Sequence, residues 1–320
     1  SSRINGPAVK EFLGEELEAW FKLGLSGDPK SLDAEQKILE KVKKKWNFPF
    51  AEFSILQFLD QDDLGIHVTL DVVEKDDLAT RMPFVPDPTG EFKDPGGLIK
   101  QWWEYERTAL ELVDAGEITT DAERCAAFHC PFGHKHAKLK KFEKVFFEGV
   151  AKHHKELYDI AEKSKEGEWR AAAVYLLAYD KNGNRMVDML VNRVKDPDEV
   201  VRNNALRVLG DVSEFHQQFV IPIRPILPAL NYPKSTDRSK AVYVVFVNAL
   251  NSKEARQHIK GFAGKDLLKL LNSTQPDQRD FAHGILRKIS GKEYPVTDEK
   301  AWAAWVRKNT KERQVSTQKP

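Results

Sequence analysis

The stretch Asp196-Pro-Asp-Glu-Val-Val-Arg-Asn-Asn-Ala-Leu-Arg-Val-Leu-Gly210 constrains the fold of this chain more than any other. Its Asp-Pro-Asp turn puts Pro197 in the first turn of a helix, where the missing N–H costs nothing. Val201, Ala205, Leu206 and Leu209 then recur at helical spacing, and Gly210 closes the run. Aligned on Arg202 with Ala205 and Leu209, the pattern returns at Arg170 with Ala173 and Leu177, at Arg238 with Ala241 and Val245, and at Arg279 with Ala282 and Leu286. The arginines are separated by 32, 36 and 41 residues, a period that belongs to stacked two-helix units. Companion first helices fit between them at Phe146–Lys163, Arg185–Val194, Ile223–Leu230 and Lys265–Leu271. Asp298–Lys308, with Trp302 and Trp305, reads as a terminal helix over the last apolar face.

The Asp-Pro-x-x-x-Val-Arg-x-x-Ala-Leu-x-x-Leu-Gly arrangement resembles the second helix of a HEAT repeat, over roughly residues 140–308. The resemblance implies a mainly α fold, a right-handed α-α superhelix of about four HEAT-like repeats over 119–308, ending in the terminal helix. It implies a non-catalytic protein-binding or scaffolding role on the concave face, where second helices lie. In such arrays the repeat arginine bonds an acidic or carbonyl group nearby, so Arg202 is expected to meet Asp196, Asp198 or a carbonyl of the first repeat. Two positions beyond each arginine stand Ala172, Asn204, Lys240 and Phe281; five beyond stand Tyr175, Arg207, Tyr243 and Gly284. Tyrosine and arginine suit interface hot spots, which makes Tyr175, Arg207 and Tyr243, with Lys240, Phe281 and Asn204, a candidate partner-binding strip. The catalytic exceptions among HEAT-like proteins fit less well. The di-iron hydroxylases use paired His-Glu dipeptides, and none occurs here; the DNA glycosylases need a cationic face, and this one is mixed. The bilin-lyase-like proteins offer no short motif to check.

Residues 1–118 resemble no family and read as a smaller, mostly helical domain. Val9, Phe12, Leu13, Leu17, Trp20 and Phe21 give a first helix within 1–25, and Asp33–Trp46 a second. Phe48, Phe50, Phe53 and Phe58 suit a core. Ile66, Val68, Leu70 and Val72 alternate with polar residues as a strand, whose partner in a β-hairpin is expected around Leu78–Phe84. Val85–Gly97 is a loop and a candidate boundary, and Leu98–Val113 a strong amphipathic helix. Asp60, Asp62 and Asp63 form fragments of a calcium loop, but Leu64 stands where an oxygen is needed, so a polar turn is the reading. Residues 309–320 bury almost nothing and are expected to be disordered.

Chemistry concentrates in Cys125-Ala-Ala-Phe-His129-Cys130-Pro-Phe-Gly-His134-Lys-His136, which holds both cysteines and three of the nine histidines. Thiolate and imidazole are zinc ligands, so Cys125, His129, Cys130, His134 and His136 are candidates for zinc or another transition metal. This gives a second functional reading, a metal-binding protein or metalloenzyme. No C-x2-C pair is present. A Cys125–Cys130 disulfide needs the chain to turn, which Pro131 favours by disfavouring helix at Cys130. Buried thiols beside solvated histidines are the third reading. Nucleophilic catalysis by Cys125 or Cys130 with a nearby histidine would need an orienting third group, and nothing in the sequence supplies one. No cofactor is otherwise implied.

Fifty basic against 49 acidic residues leave a net charge of +1, so nucleic acid is not an expected partner. The seven lysines of residues 135–155 contain no arginine and are diluted by Glu143 and Glu148. No apolar run reaches the ~20 residues of a membrane span. Two cysteines close in sequence and an opening Ser-Ser in place of Met lean toward an exported or periplasmic, processed chain.

Overall fold

The computed structural model describes residues 6–25, 28–60, 63–119 and 125–310. Among them are fourteen α-helices and one two-stranded antiparallel sheet. The tail at 311–320 and the Gln61–Asp62 part of the acidic turn lie outside the described residues. No described helix is long and apolar enough to cross a membrane. The chain divides into two compact units at Pro83/Phe84, with Asn231–Ser235 belonging to the first unit. The division therefore falls at the start of the Val85–Gly97 loop and not at residue 118. The Leu98–Asp114 helix, read as N-terminal, goes with the second unit because Trp102 and Tyr105 are buried there.

In the first unit, the single helix expected near the start is two, α1 (Gly6–Leu13) and α2 (Glu15–Leu25). Gly14 between them has φ 47°, a left-handed value that suits glycine and breaks the helix. α3 (Lys30–Trp46) ends at Asn47, itself left-handed at φ 58°. β1 (Phe50–Asp60) pairs antiparallel with β2 (Asp63–Val73), Phe53 opposite Leu70 and Phe50 opposite Val73. The strand at Ile66–Val72 is thus present, but its partner precedes it; Leu78–Arg81 forms a one-turn helix, α4. Leu13, Trp20, Ile38, Val42, Phe48, Ala51 and Phe53 make the core, with Trp20 stacked on Phe53 at 4.4 Å between ring centroids.

The regular elements described in the second unit are helices. α5 (Leu98–Asp114) is capped by the Asp94 carboxylate, which accepts from the Ile99 and Lys100 amides at 2.9 and 3.1 Å. Its buried stripe of Ile99, Trp102, Tyr105, Ala109 and Leu112 keeps helical spacing. α6 (Ala137–Lys163), α7 (Gly167–Leu176), α8 (Gly183–Arg193) and α9 (Glu199–Phe215) follow. α7 packs on α5, α6 and α9, so every residue from Arg170 to Leu176 is buried. Then come α10 (Ser235–Asn251), α11 (Lys253–Phe262), α12 (Gly264–Leu271), α13 (Pro276–Ser290) and α14 (Glu299–Asn309). The four repeat arginines fall on α7, α9, α10 and α13. Ile223–Leu230, expected as a short or bent helix, contains a 3-10 turn at Leu227–Asn231.

Two of the aligned arginines, Arg170 and Arg202, are held by buried carboxylates. Arg170 gives Nε and Nη2 to the Asp196 carboxylate, the latter at 2.7 Å, and Nη1 to the Ser164 carbonyl at 2.7 Å. Arg193 Nη1 donates to Asp196 Oδ2 at 3.0 Å, the oxygen that Arg170 Nε also reaches. Arg202 donates to the Asp237 carboxylate at 2.8 Å and to the Asp196 and Pro197 carbonyls at 2.9 and 3.0 Å. Its acidic partner is therefore Asp237 and neither Asp196 nor Asp198. Asp196 is already engaged by Arg170 and Arg193, and Asp198 caps α9 by accepting from the Val200 and Val201 amides. Arg279 departs from the pattern: it pairs with the adjacent Asp280 on the surface.

Candidate functional site

Cys125 and Cys130 form a disulfide with their Cα atoms 6.2 Å apart. Past Cys130 the chain turns as Pro131 and Gly133 (φ 67°) require, and the Gly133 amide bonds the Cys130 carbonyl at 3.2 Å. Tyr105 of α5 holds this turn by donating to the Gly133 carbonyl at 2.9 Å. The Phe128 amide donates to the Ala178 carbonyl at 2.9 Å, which tethers the loop to the end of α7.

His129, inside the disulfide ring, is 3% exposed and stacks on Tyr175 at 5.2 Å. Its Nδ1 lies 2.6 Å from the Asp211 carboxylate on α9. A carboxylate accepts only, so Nδ1 is the donor in this bond. Nε2 is buried and has no hydrogen-bond partner among the described residues. A cavity of about 490 Å³ opens here, lined by the disulfide, Phe128, His129, Asp211, Glu214, Phe215, His216, Gln217 and Gln218. Its size lies within the range of ligand sites. Asp211 is the orienting group that sequence reading lacked; 82 residues separate it from His129, and no local pattern links them.

His134 and His136 go elsewhere. His134 packs inside the unit, its Nδ1 donating to the Leu139 carbonyl at 3.3 Å and its Nε2 accepting from the Tyr179 hydroxyl at 2.6 Å. His136 caps α6 and reaches Glu117 at 3.2 Å. The five-ligand metal centre expected at Cys125, His129, Cys130, His134 and His136 is therefore corrected. The bridge takes both thiols, and each imidazole has a different partner. No group of three or more histidine, cysteine, aspartate or glutamate side chains placed to hold a metal ion occurs among the described residues.

The strip fares unevenly. Tyr175 is 7% exposed, under Trp102 at 5.1 Å, and burial pushes its phenol up to about 12. It is removed from the strip, because α5 covers α7. Asn204 is also buried, donating to the Ala171 carbonyl at 3.2 Å. Arg207 is exposed, and Lys240, Tyr243 and Phe281 are half-buried. Tyr243 and Phe281 meet edge to face at 5.5 Å, and the Tyr243 hydroxyl donates to Glu214. Gly210 faces the Tyr243 ring, where an added Cβ would stand 3.2 Å away.

Burial lowers the pKa of His134, against weaker opposition from the Leu139 carbonyl and Glu143; it lowers that of His216 too, against Asp211. The folded chain thus resists protonation that the unfolded chain accepts near the usual histidine value of about 6.5. Stability is full above that value and falls as the pH drops below it. Melting curves from pH 8 to 5 should show this decline, and His134→Gln should flatten it; an unchanged slope in the variant would remove His134 as its source.

No family model matches the chain, and neither a curated protein nor a solved structure shows significant similarity to it.

Proposed function

We propose that this chain is a HEAT-like α-solenoid whose arginine-bearing helices present a face for a protein partner, without catalysis. One observation carries this reading. Arg207, Asp211 and Glu214 occupy positions i, i+4 and i+7 of α9, one stripe that leads from Lys240, Tyr243 and Phe281 to the 490 Å³ cavity. Charged and aromatic groups thus run continuously into a concavity, the anatomy of an interface with an anchoring pocket.

Lys240, on the same face, carries a charge that the native state disfavours. Burial and the nearby Arg207 lower its pKa to about 8, with Asp237 and Asp277 opposing. The native state therefore disfavours this ammonium, and the destabilisation is full below about pH 8, fading as the pH rises toward 10.5. Lys240→Met should raise the melting temperature at pH 7 and weaken partner capture.

A photo-crosslinking residue at Phe281 tests the face directly. A defined protein adduct should form there in an extract of the source cells and vanish with Arg207→Glu. Equal labelling from a crosslinker at Val220, which is 79% exposed and off the stripe, or an adduct indifferent to Arg207→Glu, would overturn the reading.

A further inference from the structure

The groups that wall the cavity share one property. Asp211 and Glu214 present carboxylates, and among the described residues no lysine or arginine lines the space. Asp211 keeps one oxygen beyond its bond to His129 Nδ1, and Glu214 is exposed at the rim beside Gln217 and Gln218. Such a set repels anions and calls for a guest that is cationic and rich in N–H donors. Phe128 and Phe215 add aromatic surface, on which a planar cation stacks. An ammonium is a compact point charge, whereas a guanidinium offers five N–H donors in a flat fork. The fork suits two carboxylates set three residues apart on one helix, as Asp211 and Glu214 are on α9.

We propose that the cavity receives the guanidinium of an arginine side chain on the protein partner, between the Asp211 and Glu214 carboxylates and against the His129 wall. This rests on the partner-binding face proposed above. The source is a partner and not a free small cation because the cavity is continuous with that face. Glu214 lines the cavity and accepts the Tyr243 hydroxyl, while Arg207 lies one turn before Asp211 on α9.

Fluorescence anisotropy of the full chain with labelled Gly-Ser-Arg-Ser-Gly, and with the same peptide carrying citrulline or lysine, tests the proposal. Citrulline keeps the shape and removes the charge. The arginine peptide should bind at least about tenfold more tightly than the citrulline peptide, with the lysine peptide between. Glu214→Gln, a rim substitution that leaves the His129–Asp211 pair untouched, should reduce the preference severalfold, and Asp211→Asn should abolish it. The His129 ring resonances should move with the arginine peptide alone. Equal affinity for arginine and citrulline peptides, or a preference unaffected by Glu214→Gln, overturns the site. Methylguanidinium competing as strongly, molecule for molecule, as the arginine peptide overturns the partner as its source. A crosslink at residue 281 that persists without any arginine preference sinks this inference alone. An arginine preference without that crosslink sinks the binding face instead.

Discussion

Asp196→Ala should cost about 3–5 kcal/mol of stability, the range for removing one partner of a buried ion pair. The Asp196 side chain is fully buried and neutralises two buried cations, Arg170 and Arg193, while one of its oxygens accepts the Asp198 amide at 3.0 Å. Alanine would leave both guanidiniums in the interior and loosen the turn that opens α9. The loss should appear as a lower denaturant midpoint with little change in slope. Removing one of the two orphaned cations as well, with Arg170→Met and Asp196→Leu together, should recover part of it, since the penalty lies in the orphaned charge more than in the lost attraction. A loss below about 1 kcal/mol for the single variant would mean that water reaches these groups and screens them.

Trp102→Ala should cost a similar amount, about 3–5 kcal/mol, through the cavity it leaves. The indole is 2% exposed and meets Tyr105, Phe146 and Tyr175 at 5.3, 5.6 and 5.1 Å. The effect should extend beyond stability, because Tyr175 is sandwiched between Trp102 and His129. With the indole gone, His129 loses its backing and the anchoring of the arginine peptide should weaken as well. Trp102→Phe, which retains a ring, should keep most of both. A thermal melt within error of the parent for Trp102→Ala would place the packing centre elsewhere.

What was legible in the sequence was what is local. The arginine-to-leucine spacing that marks α7, α9, α10 and α13 is set by one turn-to-turn period, and so is the stripe of α5. The alternation of Ile66–Val72 likewise showed a strand. Its partner was misplaced because β1, Phe-Ala-Glu-Phe-Ser-Ile-Leu-Gln-Phe-Leu-Asp, carries apolar residues on both faces and gives no clean period of two. The site was hidden for a stronger reason. Tyr175 looks available because α7, read alone, has an outward side; Trp102, from α5, takes that side up. His129 and Asp211 come together only through the packing of α7 against α9. The Cys125–Cys130 bridge, one of three open readings, followed from Pro131 turning the chain.

The disulfide has a consequence for any association at this cavity. Ala126, Ala127, Phe128 and His129 lie inside a small covalent ring, and three of these residues, Ala127, Phe128 and His129, line the binding space. A free loop would have to be ordered at the moment of encounter, at a penalty subtracted from affinity. Here the conformational freedom was surrendered earlier, when the thiols were oxidised, and the guest meets a surface already frozen in shape. Affinity at such a surface varies chiefly through how long the complex lasts, since association is not slowed by any rearrangement. Opening the bridge would therefore shorten residence before it unfolds anything.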